Sequence, residues 1–188
     1  MGQTKAPPAR PGMGAVRRRL SEILRVDHAG ELGAVCIYQG QRAVFEGAQG
    51  GEQVSETLAE MEAHEQVHLQ RFDRLLTDNR VRPTLMAPVW RAAGFALGVG
   101  TALLGEKAAH ACTEAVEDVI EAHYADQIEE LSDRDPALAA ELSKFREDEL
   151  AHRDRAIEQG AHEAPGYALL AGFIRLGCKA AIKISEKV

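Results

Sequence analysis

Two segments of this chain carry the same arrangement of glutamate and histidine, and this arrangement restricts the fold. Each segment contains one Glu-x-x-His pair and one lone glutamate about a helix length upstream of it. The residues of the two sets are Glu31, Glu65 and His68, then Glu117, Glu149 and His152. The midpoint between the two glutamates of each set falls in a turn-forming stretch, 47–51 or 132–136. The pattern therefore predicts two antiparallel helical hairpins with these side chains at matching depth.

Such a set of side chains has a specific chemical use. Two carboxylates and two Glu-x-x-His pairs that point into a four-helix core are the ligands of a carboxylate-bridged pair of iron or manganese ions. A glutamate and a histidine three residues apart lie on one helix face and can reach the same metal. Glu65 and Glu149 are then the bridging carboxylates, the lone glutamates are terminal ligands, and each histidine supplies one nitrogen. The alternative is a set of solvated charges on amphipathic helices.

The composition indicates one all-α domain. A chain of 188 residues buries one core, and an aromatic content of 5% with few prolines favours long helices over strands. The net charge of −7 argues against nucleic acid as the main partner. Cys36, Cys112 and Cys178 form no Cys-x-x-Cys pair, which indicates a reducing compartment and no thiolate metal site.

Six helices are predicted from the positions of caps, glycines and prolines. They run over about 15–46, 52–78, 88–104, 106–131, 136–160 and from after 165 to 187. The apolar third helix connects hairpins at about 15–78 and 106–160. The prediction is an all-α, ferritin-like four-helix bundle with a di-iron centre plus two additional apolar or amphipathic helices, as one domain over 15–188. Residues 1–14 are predicted to be a disordered tail without a secretory signal.

Two tyrosines repeat the symmetry of the glutamates. Tyr38 lies seven residues after Glu31, and Tyr124 lies seven residues after Glu117, so each tyrosine shares the ligand face of its helix. Their hydroxyls could bond a ligating carboxylate or a bound substrate, and the alternative is two core tyrosines without a chemical role. The remaining histidines are interpreted as surface residues or neighbours of the ligands: His28, His64, His110, His123 and His162.

Two segments predict contact with a membrane surface. Ala92–Gly105 has no charged residue but is too short for a confident span, and Gly94 with Gly98 would allow close helix packing. The last helix has an apolar run, 167–174, followed by basic residues at successive steps of four: Arg175, Lys179, Lys183 and Lys187. A peripheral protein with this basic stripe at the lipid phosphates is predicted. The alternative is an ordinary solvated face.

Several stretches together resemble the demethoxyubiquinone hydroxylases of ubiquinone biosynthesis. They are Arg25-Val-Asp-His-Ala-Gly-Glu31, Arg80-Val-Arg-Pro-Thr84, Gly94-Phe-Ala-Leu-Gly98, Gly100-Thr-Ala-Leu-Leu-Gly105 and Phe145-Arg-Glu-Asp-Glu-Leu-Ala-His152. The resemblance extends from about Leu20 to the end of the chain. It implies a membrane-associated monooxygenase that hydroxylates a polyprenyl quinone ring with O2 and NADH at two iron ions per chain. The six ligands of that family map onto the six residues already derived.

The resemblance also implies a binding site for NADH and a cellular location. A basic residue near the family's C-terminus is matched by Lys187, whereas Lys183 replaces an aromatic residue and Glu22 replaces a basic one. Some lineages use a lipid-binding partner protein. The implied location is the cytoplasmic face of the cell membrane, or the matrix face of the inner membrane in a mitochondrion. Two alternatives remain: another di-iron hydroxylase or oxidase, such as one that modifies tRNA, and a ferritin-like iron store or helical scaffold.

Overall fold

The computed structural model describes residues 12–188, and the regular structure within them is entirely helical. The elements are α1 Met13–Phe45, α2 Glu52–Asn79, α3 Ala87–Leu103, α4 Glu106–Leu131, α5 Pro136–Glu158, a short 3-10 turn Ala161–Glu163, and α6 Tyr167–Ser185. The predicted all-α class is confirmed, and the helices begin and end within about two residues of the predicted bounds. Residues 1–11, where most of the predicted tail falls, lie outside the described residues.

The two predicted hairpins are present, with their turns at the predicted midpoints. In the first turn, over 46–51, Gly47 and Gly50 adopt positive φ angles of 82°, which glycine does without steric cost. In the second turn, over 132–135, the side chain of Asp135 accepts a hydrogen bond from the backbone of the first turn of α5. Each hairpin therefore brings its lone glutamate and its Glu-x-x-His pair to one level.

Apolar side chains pack on both sides of that level. One buried cluster includes Ile23, Phe72 and Leu142, on the side of the α4–α5 turn. A second buried cluster includes Tyr38 and Leu58, on the side of the α1–α2 turn. The buried Glu and His side chains, called the ligand level below, lie between these two apolar layers. Close packing in both layers fixes the helices on either side of that level.

Helix α3 packs closely along α1 through its glycines. A Cβ atom on Gly94 would lie 2.9 Å from the carbonyl oxygen of Gly33, and one on Gly98 would overlap the carbonyl oxygen of Ile37. The close packing predicted for these two glycines is confirmed. The outer face of α3 carries exposed apolar residues, which include Leu103 at 70% exposure.

Helix α6 packs on α4, and here one prediction is wrong. Arg175 lies against α4, where its guanidinium bonds Glu114 at 2.6 Å and Asp118 at 2.9 Å. The predicted basic stripe therefore does not present Arg175 outward, because two carboxylates of α4 hold it. The exposed surface of α6 carries apolar side chains as well as Lys179 and Lys183, with Leu169, Phe173 and Leu176 at 83%, 74% and 67% exposure. No helix within 12–188 combines the length and apolar content that crossing a bilayer requires.

Candidate metal centre

The structure brings all six predicted ligand residues together in the middle of the bundle. They form two overlapping groups: Glu31, Glu65, His68 and Glu149, and then Glu65, Glu117, Glu149 and His152. Within each group, one ligand-type atom per residue lies within 4.8 Å of all the others. Glu65 and Glu149 belong to both groups, as expected for carboxylates that bridge two cations. None of the six residues is more than 4% exposed.

The inward-facing atoms of this cluster lack hydrogen-bond partners. Nδ1 of His68 lies 3.3 Å from a Glu149 oxygen and 3.4 Å from a Glu31 oxygen, yet neither contact has hydrogen-bond geometry. Both oxygens of Glu65 and of Glu149 are buried and unpaired in the same way. Buried unpaired polar atoms are costly, so their convergence on shared space needs an occupant. Carboxylate oxygens and imidazole nitrogens in this number fit two iron or manganese ions.

The electrostatics of the cluster disfavour several buried carboxylates that all carry a negative charge. Burial, and then the negative charge of Glu149, raise the pKa of Glu65 and of Glu117 well above the usual range. Burial opposes the charged form of Glu149 too, but contact with His152 and His68 outweighs it and lowers the pKa to about 2. Burial likewise opposes the imidazolium of His68, yet contact with Glu149 raises its pKa to about 11. The buried carboxylates therefore favour bound positive charge beside them.

Each predicted tyrosine bonds a carboxylate of the other hairpin. The Tyr38 hydroxyl of α1 donates to Glu117 of α4 at 2.7 Å, and the Tyr124 hydroxyl of α4 donates to Glu31 of α1. Of the two partners that the sequence analysis considered for these hydroxyls, the carboxylate is the one that both contact. The sequence analysis did not predict that each bond crosses between the hairpins.

The outer nitrogens of the two histidines contact Asp148, which the sequence analysis missed, and His64, which it interpreted as a surface residue or a neighbour of the ligands. Nε2 of His68 lies 3.1 Å from a carboxylate oxygen of Asp148, and Nε2 of His152 lies 3.1 Å from Nδ1 of His64. The His64 and His152 rings are stacked, with centroids 5.4 Å apart. Asp148 and His64 each directly precede the glutamate of one Glu-x-x-His pair, and this shared position was the available signal.

The predicted NADH contact lies apart from these residues. Lys187 is exposed in the segment that follows α6 and is not among the residues of the two ligand groups. Lys179 and Lys183 line a surface cleft between α4 and α6 together with Arg19 of α1 and His123 of α4. Acidic residues of the same cleft include Glu130, which pairs with Arg19 at 2.9 Å.

An apolar cavity of about 290 Å³ lies between α1, α3, α4 and α6. Gly30 and Val116, which adjoin Glu31 and Glu117 in the sequence, contribute to its wall. The cavity therefore runs beside the two helical segments that carry Glu31 and Glu117. On its other side the wall includes Phe173 of α6, whose ring is largely exposed.

The bundle and its paired clusters define a ferritin-like helical protein with a carboxylate and histidine site. Residues 18–185 match the family described as ubiquinone biosynthesis protein COQ7, and the chain belongs to this family. A 3-demethoxyubiquinol 3-hydroxylase of Rhodospirillum rubrum is 49% identical over 187 residues, which is 100% of this chain and 87% of the relative.

Two eukaryotic relatives carry similar names. The NADPH-dependent 3-demethoxyubiquinone 3-hydroxylase, mitochondrial, of Mus musculus is 47% identical over 175 residues, covering 91% of this chain and 79% of its own. The 5-demethoxyubiquinone hydroxylase, mitochondrial, of Saccharomyces cerevisiae is 38% identical over 184 residues, covering 90% and 78%. The predicted family is thus confirmed, as is the prediction that the chain is an oxidoreductase of that family.

Proposed function

We propose that this protein is a di-iron monooxygenase that hydroxylates the ring of a demethoxy polyprenyl quinone in ubiquinone biosynthesis. The reaction uses O2 and two electrons from a nicotinamide nucleotide. One observation carries the proposal: six buried ligand-type side chains converge, with Glu65 and Glu149 common to both groups. The names of the relatives support the same substrate class.

The protein residues position and isolate this chemistry. When bound, the two iron ions supply the binding and reduction of dioxygen. Glu31 and Glu117 are held by the tyrosine hydroxyls of the opposite hairpin, so each terminal carboxylate keeps one orientation. The apolar layers on either side of the ligand level exclude water, which strengthens the charge interactions within it.

The apolar cavity is the proposed substrate site. Its volume of about 290 Å³ suits a quinone ring with the first part of a prenyl tail, and its wall is almost entirely apolar. It lies between helices of the two hairpins, beside the segments that hold Glu31 and Glu117. A ring seated at its inner end lies next to the ligand level, while the tail leaves between α3 and α6.

The exposed apolar face is the proposed membrane contact. Leu103 and Leu104 of α3, with Leu169, Phe173 and Leu176 of α6, are largely exposed. These side chains enter the acyl boundary, and the exposed lysines of α6 meet the phosphates. We place the protein on the cytoplasmic face of a cell membrane, or on the matrix face of the inner membrane in a mitochondrion. A lipid-binding partner protein is a further proposed contact.

The reductant is proposed to be a nicotinamide nucleotide that binds near the end of α6. NADH is our proposed donor, with Lys187 as a phosphate contact, and the exposed Lys179 and Lys183 add two cations beside the cleft. The mouse relative is named for NADPH. Comparing kcat/KM for NADH and NADPH in the same preparation distinguishes the two donors, and Lys187→Gln should raise KM for the preferred one.

A labelled turnover experiment tests the proposed function. Iron-loaded protein, a short-tail demethoxyquinone analogue in detergent and a nicotinamide donor are incubated under ¹⁸O2, and the product is analysed by mass spectrometry. We expect one ¹⁸O atom in a new ring hydroxyl. Glu149→Ala should abolish the product, and Glu147→Ala, an exposed change on the same helix, should not. Oxygen derived from water, or no product with either donor, would contradict the proposal.

The same sample separates the alternatives. A ferritin-like store takes up much more iron than two ions per chain, and a tRNA-modifying oxidase hydroxylates RNA but not the quinone. We expect iron uptake to stop at two per chain and unmodified RNA to be recovered.

A further inference from the structure

The two halves of the candidate metal centre differ in the residue that contacts the outer nitrogen of each histidine. Both histidines present Nδ1 to the carboxylates, which leaves each Nε2 free for an outer partner. In both halves that partner directly precedes the bridging glutamate of the opposite helix, so the positions are equivalent. The occupants are not equivalent, because Asp148 bonds His68 whereas His64 bonds His152.

The direction of the hydrogen bonds follows from the chemistry of imidazole. A histidine that ligates a cation through Nδ1 carries its proton on Nε2 and must donate it. His68 then donates to an acidic side chain. His152 donates to Nδ1 of His64, which must be the acceptor and is therefore a neutral ring with its own proton on Nε2.

The chemical consequence is a difference in ligand strength. An outer carboxylate raises the basicity of a ligating imidazole, and changing such a partner typically costs about 10–100-fold in metal affinity or activity. A neutral imidazole acceptor orients the ring but adds no negative charge. Asp148 is half exposed, at 51% for its side chain, so screening places its effect near the lower end of that range.

We propose that the two metal positions differ in affinity because their histidines have different outer partners, and that the position of His68 fills first. This inference rests on the proposed function, since it assumes two cations in the centre. Asp148 and His64 are positioning residues here, because they act through the histidines and not on the substrate. The half of the centre with Glu31 and His68 is the tight position, and the half with Glu117 and His152 is the weaker one.

Titration of the metal-free protein with Co²⁺ tests the inference, with visible absorption as the readout. We expect two binding steps in the wild type. Asp148→Asn keeps an acceptor oxygen but removes the charge, so the tight step should weaken about tenfold. His64→Asp places a carboxylate at the equivalent position beside His152, so the weak step should tighten and the two steps should approach each other. A gain of affinity cannot come from a loss of folding.

Matched controls keep the result specific to these contacts. Asp154→Asn removes an exposed carboxylate farther along α5, and Ala63→Asp adds one on α2 beside position 64. Both should leave the two steps unchanged. Two equal steps in the wild type, or no tightening in His64→Asp, overturn the inference while the proposed function stands. Binding of fewer than two Co²⁺ ions per chain overturns both.

Discussion

The Tyr38 hydroxyl of α1 donates a 2.7 Å hydrogen bond to the Glu117 carboxylate of α4 and so links a candidate ligand of one hairpin to a helix of the other. The bond from Tyr124 to Glu31 repeats this relationship in the opposite direction. Burial, and then nearby carboxylates, raise the pKa of Tyr38 well above its usual value, so the hydroxyl remains a donor at neutral pH. The two bonds hold α1 and α4 in register at the ligand level.

Removing this hydroxyl should destabilise the protein. Tyr38→Phe leaves a buried oxygen of Glu117 without its donor, which costs about 1–3 kcal/mol in the free energy of unfolding. Denaturant unfolding of the metal-free protein measures this change in the free energy of unfolding. The matched control is Tyr167→Phe, because Glu114 keeps its Arg175 partner after that change. Equal losses in the two variants would show that the Tyr38 bond has no special role.

The stabilisation by metal should grow with pH between about 5 and 8. In the metal-free protein the pKa values of Glu65 and Glu117 are raised, so unfolding releases their protons and the apo state loses stability as pH rises above 4.5. His68, with a pKa of about 11, keeps its proton in the folded apo state while the unfolded histidine loses it near pH 6.5, so it adds to this loss. Glu149, with a pKa of about 2, is charged in both states across this window and contributes a constant amount. Cations compete with the bound protons, so binding strengthens with pH.

Melting temperatures with and without Fe²⁺ or Co²⁺, measured under anaerobic conditions across this pH range, test the relationship. The difference between loaded and metal-free protein should increase with each step in pH. A difference that stays constant or shrinks would contradict proton competition at the carboxylates and at His68.

Filling the apolar cavity should block turnover without disturbing the fold. Gly177 lines the cavity on α6, and a Cβ placed there meets no other atom within 4 Å. Gly177→Phe should therefore raise KM for a short-tail quinone or abolish turnover, with iron content unchanged. Gly172→Phe, on the same helix and equally open but outside the cavity, should retain wild-type kinetics. Normal turnover in Gly177→Phe would place the substrate elsewhere.

The apolar face of α6 should carry the membrane contact. Changing Leu169, Phe173 and Leu176 to serine removes about 2 kcal/mol of transfer free energy per side chain and should abolish liposome binding in sedimentation. Changing Lys179, Lys183 and Lys187 to glutamine should cost about 1 kcal/mol each, at low salt and with anionic lipid. Val67→Ser, on α2 with similar exposure, is the control. Unchanged binding by the triple serine variant would contradict this surface.

The sequence alone was informative where spacing along one helix decides the outcome. Helix rise and the positions of the turns predict that Glu31 lies at the same depth in the bundle as Glu65, and Glu117 at the same depth as Glu149. The structure agrees. Asp148 was missed, and the partner of His64 was not predicted, because these contacts join different hairpins. The relative rotation of those hairpins depends on packing across the core. Arg175 was misplaced for a related reason. Steps of four residues show that side chains share a helix face, but not which neighbour that face meets.

The metal content of purified and reconstituted protein tests the central claim most directly. The protein is loaded with Fe²⁺ under anaerobic conditions, desalted and analysed for iron per chain. The account predicts two ions in the wild type, and loss of both in Glu65→Ala and in Glu149→Ala, because each of these carboxylates belongs to both ligand groups. Glu62→Ala, a buried change one turn from Glu65 at a residue paired with Arg42, should retain two. A wild-type value well below two, or full retention in both bridging variants, would contradict the account.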